Sequence, residues 1–320
     1  MSKDAFVVIE HLQGKVADIS YVALAAARKV IEGSDGRVVA VLLGHEARDL
    51  AKDLAADEAL YVNRPEFHDF TPDAYATALA SLIKDRQPKV VLLGNTSVGA
   101  DVAGQLSISL PMPLVTSCRE LKADGKYVCQ ICGGKILAEG TLPDSGVLLT
   151  MTPGAHRADD GRASSAPPIT DATVPELAGL KIQLAKYIEP EAADVDIAKE
   201  SLLIAVGRGI QNQDNISLAE ELAQAMGGTV CGSRPVVDQG WLATSRLVGK
   251  SGKHVKPKIY LALGISGAPE HAEAITDSDM IIAVNTDPTA PIFDIAKYGA
   301  EADMFDVLPP LTEKIRQAEG

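Results

Sequence analysis

The chain has 320 residues, too many for one small core and enough for two domains at roughly 100 to 200 residues each. Its 46% of hydrophobic residues includes only 4% aromatics, an Ala, Val, Leu and Ile balance that suits buried parallel strands under helices. A net charge of −13 repels phosphate backbones and anionic membrane surfaces, so nucleic acid is not an expected partner.

At the N-terminus Lys3 and Asp4 lead straight into Ala5-Phe6-Val7-Val8-Ile9, a run of strand length rather than signal-peptide length. No export signal, transit peptide or membrane span is read, and the expected compartment is the cytoplasm. Four cysteines, Cys118, Cys129, Cys132 and Cys231, make no disulfide framework, which fits a reducing compartment. Cys129 and Cys132 form a C-x-x-C without a second pair and inside a strand-like run, so no metal site is expected.

Along the first half, short apolar runs at residues 6–9, 38–43, 60–62 and 90–93 read as strands, with helical spacing at 46–56 and 72–84 between them. That alternation predicts a parallel sheet covered by helices. Further strands are expected at 127–132, 146–151 and 181–188. The Gly, Ala, Ser, Pro and Asp-rich stretch 153–175 reads as a surface loop. A polar connector at 189–199 separates an N-terminal Rossmann-like domain, residues 1–188, from a second domain, residues 200–320.

In the second domain the alternation restarts. Strands are expected at 202–206, 229–231, 259–263, 280–284 and 305–308, and helices at 217–226, 269–275, 292–298 and from 311 onward. The fold class is therefore α/β, two doubly wound domains with mainly parallel sheets. Ligands of such sheets bind outside the carboxyl ends of the strands.

Chemistry concentrates in this second domain. Between Asp238 and Glu270 lie 31 positions without an acid, and they hold Arg246, Lys250, Lys253, Lys256 and Lys258. An anionic ligand is one reading of this cluster; a solvated basic face is the other. Gly264-Ile265-Ser266-Gly267-Ala268 follows a strand and opens a helix, where glycines permit close approach of a phosphate and free N–H groups favour negative charge. Tight turns need glycine too, and the spacing departs from G-x-G-x-x-G. Gly207-Arg208-Gly209, Gly232-Ser233-Arg234-Pro235 and Val248-Gly249-Lys250-Ser251-Gly252 add three donor-rich turns at the same predicted edge.

The motifs Gly207-Arg208-Gly209-Ile210, Ser233-Arg234-Pro235-Val236-Val237-Asp238, Gly264 to Ala268 with His271, and Ala283-Val284-Asn285-Thr286-Asp287-Pro288 with Ala290-Pro291-Ile292-Phe293 occur in this order. Together they resemble the alpha subunit of electron transfer flavoproteins over roughly residues 200–310. The resemblance implies an FAD whose pyrophosphate lies along Ser266, Gly267, Ala268, Pro269 and Glu270. Its ring would face Arg234, Ser251 and His271, and its adenosine end would reach Asn285, Asp303 and Met304. Arg208, Ser233, Val248, Gly249 and Lys250 would complete the pocket. Cations near the ring would stabilise negative charge on it, and His271 can donate to its N1–C2=O side.

The resemblance also implies a heterodimer with a beta subunit, carrying electrons from flavin dehydrogenases, such as the acyl-CoA dehydrogenases of fatty acid oxidation, to a quinone reductase or another acceptor. An electron-bifurcating member of the family and an NAD-binding enzyme on a related sheet are the alternatives. Lys250 stands where many relatives have Gln, and Pro269-Glu270 where Ile-Gln is frequent. The remaining histidines, His11, His45, His68, His156 and His254, have no comparable setting, and Trp241 is expected to pack.

Overall fold

The computed structural model describes residues 2–132, 136–187 and 195–319. The chain divides into two compact units, Met1–Tyr187 and Ile188–Gly320. Each carries its own parallel sheet with apolar clusters on both faces, which makes both doubly wound.

In the first unit the elements run β1 (Ala5–Val8), a short hairpin of β2 (His11–Leu12) and β3 (Lys15–Val16), α1 (Asp18–Ile31), β4 (Val38–Gly44), β5 (Glu58–Asn63), α2 (Pro72–Arg86), β6 (Val90–Gly94), α3 (Ser97–Ser109), β7 (Leu114–Leu121), β8 (Lys126–Ile131), β9 (Ile136–Thr141), β10 (Val147–Met151) and β11 (Ile169–Asp171). The strand order is β11-β5-β4-β1-β6-β10-β7-β8-β9, parallel from β11 to β7 and antiparallel from β7 to β9. Strands β1, β4, β6 and β10 are apolar without alternation because helices bury both of their faces. Helix α1 covers one face; α2 and α3 cover the other.

Three expectations fail here for physical reasons. Residues 46–56 form only a one-turn helix, Arg48–Ala51, because the chain then runs extended against the segment after α1's outer face, with Ala55 N–H donating to Gly161 and Ala163 N–H to Asp53. The stretch read as a surface loop is stitched in. Its β11 pairs with β5, and Gly161 lies so close to the Tyr21 carbonyl of α1 that a Cβ would overlap it. Arg162 stacks 3.6 Å over the Tyr21 ring and pairs with Asp53 at 2.7 Å. Residues 181–187 form no strand although they alternate, because β11 already occupies the sheet edge; instead Lys181 and Ile182 donate backbone N–H groups to the Asp73 carboxylate. The C-x-x-C is split, Cys129 buried in β8 and Cys132 exposed beyond it at φ 54°.

The second unit runs β12 (Leu202–Val206), α4 (Ile216–Met226), β13 (Thr229–Gly232), α5 (Arg234–Asp238), β14 (Ile259–Leu263), α6 (Pro269–Ala272), β15 (Ile281–Asn285), β16 (Tyr298–Glu301) and α7 (Met304–Glu319), with strand order β13-β12-β14-β15-β16, all parallel. Alternate residues divide the core by period two: Leu203, Ala205, Tyr260 and Ala262 face one side, Ile204, Val206, Leu261 and Leu263 the other. Of the connector expected at 189–199, residues 189–194 lie outside the described residues. Its last turn, Ile197–Lys199, belongs to the second unit, with Ile197 buried in its core and Asp196 paired with Lys253 at 2.6 Å.

Two assignments near the C-terminus change. Residues 292–298 hold one turn, Pro291–Asp294, before strand β16. Residues 305–308 are helical rather than a strand. Met304, Leu308, Leu311 and Ile315 recur at helical spacing and pack together on the sheet, and that stripe outweighs the two backbone donors lost at Pro309 and Pro310. Trp241 packs partly buried against the same cluster.

Candidate functional site

Because β12, β13 and β14 are parallel, the donor-rich turns after them, at 207–209, 232–235 and 264–268, begin at one sheet edge; the fourth, 248–252, follows no strand and reaches that edge through Val248 N–H on the Gly232 carbonyl. The order reverses between β12 and β14, the switch point where such sheets open a crevice. There the turns after the two strands touch. A Cβ on Gly207 would overlap the Gly264 carbonyl, and one on Gly209 would come within 2.8 Å of Gly264 Cα. Gly264 itself sits at φ 61°, over the Met304 methyl.

The turn from Gly264 to Ala268 is held from behind. Asn285 Nδ2 donates to the Ile265 carbonyl at 2.9 Å, and Ile292 N–H donates to the Ser266 carbonyl at 3.0 Å. Gly267 adopts φ 80°, and a Cβ there would overlap the Ile292 backbone nitrogen. The backbone N–H groups of Ser266, Gly267 and Ala268 have no acceptor among the described residues. Three unused donors on a rigid turn form an anion cradle. The expected helix 269–275 is a single turn, Pro269–Ala272, so these local donors rather than a long helix dipole supply the positive potential.

The loop 247–253 forms the facing wall. Val248 N–H donates to the Gly232 carbonyl at 3.0 Å and Lys250 N–H to the Glu270 carbonyl at 2.8 Å, tying the loop to the ends of β13 and α6. Gly249, at φ 146°, leaves room for the Glu270 carbonyl, which a Cβ would meet at 3.4 Å. This brings Ser251 to Arg234: Arg234 Nη1 donates to Ser251 Oγ at 3.0 Å, while Nε pairs with Asp238 one turn later at 3.3 Å. The charge of the acid-free stretch is partly structural. Lys253 pairs with Asp196, and Arg246 donates to the Val230 carbonyl at 2.8 Å. Lys250 is exposed beside Glu270.

His271 is buried, 7% exposed, with Nε2 at 2.9 Å from the hydroxyl of the fully buried Tyr260. Nδ1 is also buried and has no hydrogen-bond partner among the described residues. Loss of hydration holds the ring's pKa down to about 4; the Val248 backbone pulls weakly the other way. His271 is thus neutral at pH 7 and acts as a dipolar donor, whereas Arg234 carries the charge.

The electron transfer flavoprotein domain signature matches residues 5–177, and the electron transfer flavoprotein FAD-binding domain signature matches residues 196–276. Relatives extend over nearly the whole chain. The electron transfer flavoprotein subunit alpha of Thermoanaerobacterium thermosaccharolyticum is 33% identical, covering 98% of each chain. That of Bacillus subtilis is 30% identical, over 99% of this chain and 98% of its own. The acryloyl-CoA reductase electron transfer subunit beta of Anaerotignum propionicum is 32% identical, over 99% and 97%. The chain belongs to the electron transfer flavoprotein alpha subunit family.

Its cofactor is FAD, and the residues present fit that group. The unused N–H groups at 266–268 suit a pyrophosphate, and the unpartnered His271 Nδ1 and the exposed Arg234 guanidinium suit an electron-rich ring. The other residues expected at an electron transfer flavoprotein site fall into two groups. Arg208 is exposed at the edge of the crevice and Ser233 is buried at the end of β13, both with side chains capable of donating. Asn285, Asp303 and Met304 act on the scaffold: Asn285 holds Ile265 and accepts from Asp287 N–H, Asp303 accepts from Phe305 N–H at the start of α7, and Met304 packs beneath Gly209 and Gly264.

Sequence reasoning missed Tyr260, Cys231, Asp238 and Asp196. Tyr260 had a signal, a hydroxyl inside the otherwise aliphatic strand Ile259–Leu263. Asp196 had none, since its pairing with Lys253 joins residues distant in sequence. No helix is long and apolar enough to cross a membrane, and no group of candidate metal ligands occurs, both among the described residues.

Proposed function

We propose that this chain pairs with an electron transfer flavoprotein beta subunit and carries single electrons in the cytoplasm from flavin dehydrogenases, such as acyl-CoA dehydrogenases of fatty acid oxidation, to a quinone reductase or another acceptor. The observation that carries the placement of FAD is the unspent N–H cradle at Ser266, Gly267 and Ala268 beside the orphaned Nδ1 of a buried His271. When bound, FAD supplies the capacity to take up and release electrons one at a time. The chain binds its pyrophosphate along 266–270, meets the ring with Arg234, Ser251 and His271, and closes the pocket with Arg208, Ser233 and the loop Val248-Gly249-Lys250. The adenosine end extends toward Asn285, Asp303 and Met304. No general acid or base is needed, because no bond to a substrate atom is broken.

A second reading is electron bifurcation with a second FAD in the beta subunit. It is favoured by the Anaerotignum propionicum relative, whose name ties it to acryloyl-CoA reductase. An NAD-binding enzyme is disfavoured by the turn spacing. Co-purification with the co-expressed beta subunit and a count of bound nucleotides separates the three. One FAD and one AMP per heterodimer support simple transfer, two FAD support bifurcation, and a colourless protein that binds nicotinamide overturns the flavin reading.

A further inference from the structure

We propose that Cys231, Tyr260 and His271 form a one-directional hydrogen-bond chain that keeps the His271 proton on Nδ1, so that Tyr260 is a positioning residue for the donor facing the flavin. What the proton faces rests on the FAD reading above; the tautomer itself does not.

Tyr260 is completely buried in β14, and by register its sheet neighbours are the aliphatic Leu203 and Ile281. A phenol in such surroundings needs partners for its hydroxyl. One is His271 Nε2 at 2.9 Å. The other polar group near it is the thiol of Cys231 on β13, beyond the intervening strand β12. Cys231 pairs in register with Ala205 of β12, on the same sheet face as Tyr260, and that small side chain leaves the phenol room to reach across.

Each member of this chain has one proton to give, so only two polarities exist. In one, the thiol donates to the phenol oxygen, the phenol donates to Nε2, and the imidazole proton stands on Nδ1. In the other, Nε2–H donates to the phenol oxygen, the phenol donates to sulfur, and Nδ1 is left as a bare acceptor. The first gives the strongest donor to imidazole nitrogen; the second gives it to a thiol, a weak acceptor. None of the three groups ionises at neutral pH. Burial pushes the Cys231 thiol up to about 12, raises Tyr260 well above its ordinary value and lowers His271 to about 4. All three therefore stay neutral over the working range, and in the first polarity the Nδ1 proton has no acceptor among the described residues. An electron-rich flavin edge is a fitting acceptor for it, since the interaction strengthens as negative charge accumulates.

The test uses the full chain with its co-expressed partner subunit, and the same chain stripped of flavin, both with ¹⁵N-labelled histidine rings. His271 is assigned by the signal lost in His271→Gln. The expected wild-type pattern is a protonated Nδ1 and a bare Nε2 in both preparations. Tyr260→Phe should keep flavin bound, redistribute the His271 proton toward Nε2 and weaken the first electron uptake by roughly tenfold, equal to about 59 mV. Cys231→Ser should preserve both readouts and Cys231→Ala should relax the tautomer part-way, which keeps the idea testable if Tyr260→Phe does not fold. A protonated Nε2 in the wild type overturns the proposal, as does a Tyr260→Phe protein with unchanged tautomer and potential. A protein that never binds flavin but shows Nδ1–H overturns the FAD reading alone.

Discussion

The two units solve the same topological problem and use their switch points in opposite ways. In the first unit the reversal lies between β1 and β6, and the carboxyl edge there is occupied by the protein's own polar groups. Glu10 Oε2 accepts from Thr96 Oγ1 at 2.7 Å, Thr96 Oγ1 accepts from Gly99 N–H at 3.0 Å, and Thr150 Oγ1 donates to Asn95 Oδ1 at 3.1 Å. A half-hidden carboxylate stands where a phosphate would have to come, its pKa raised by burial and partly restored by Thr96. In the second unit the corresponding strands are followed by Gly207 and Gly264, and the N–H groups at 266–268 have no acceptor among the described residues. A sheet edge becomes a ligand site when its donors are left without internal acceptors, and a scaffold when they are satisfied.

The strongest way to break this contrast is to fill one glycine in each unit. Gly267→Val adds a branched side chain at φ 80° and overlaps the Ile292 backbone, at a cost of about 4 kcal/mol. The heterodimer should then lose its bound flavin, read as visible absorbance per protein. Gly99→Ala, whose Cβ would overlap the Gly94 carbonyl in the first unit, should lower the melting temperature and leave flavin stoichiometry unchanged. Flavin loss in the second variant would erase the contrast.

Next in size is the acid response of the flavin-free chain. The folded pKa of His271, about 4, lies below its ordinary value, so between the two the unfolded chain binds the extra proton. Stability contributed by His271 is complete above about pH 6.5 and falls by on the order of 3 kcal/mol as pH drops to 4. The pH dependence of melting in wild type minus that in His271→Gln isolates the effect, and equal slopes would contradict it.

Arg234→Ala should leave FAD bound, because the cradle is intact, but destabilise negative charge on the ring. At 65% exposure the guanidinium is screened by water, so about 1 kcal/mol, or on the order of 40 mV in a one-electron titration, is expected. The smallest effect belongs to Glu10→Gln. Since burial raises the Glu10 pKa, the ionised carboxylate is disfavoured at neutral pH. Removing the charge should therefore keep the melting temperature equal or slightly higher, with flavin content unaffected.

Much of this was legible along the chain. The apolar runs that became β1, β4, β6, β12, β14 and β15 are buried on both faces, and burial of that kind leaves an unmistakable local pattern. The glycine turns, Arg234 and His271 were likewise visible, because close approach and permanent charge require particular residue types. Less legible were elements whose form depends on a distant partner. Residues 181–187 alternate like a strand but find no free edge, and 305–308 look like a strand until Leu311 and Ile315 extend the stripe. Helix α3 escaped notice because Gly99, Gly104 and its serines dilute the apolar spacing, only Gly99, Val102, Ala103 and Leu106 being buried; α1, Ala-rich and buried along most of its length, was passed over between the flanking strands.

By itself, then, the amino-acid order determined the α/β class, the place of the glycine-rich turns along the chain and the candidate residue types beside them, since each follows from local sterics and chemistry. Only the tertiary structure decided which of those groups are already used. It is folding that gives Lys253 to Asp196, Asn285 to Ile265 and Arg234 to Asp238 and Ser251, and that buries Tyr260 against His271 with Nδ1 left over. Whether a polar group is satisfied depends on neighbours brought from far along the chain, and that information exists only once the sheet has closed around them.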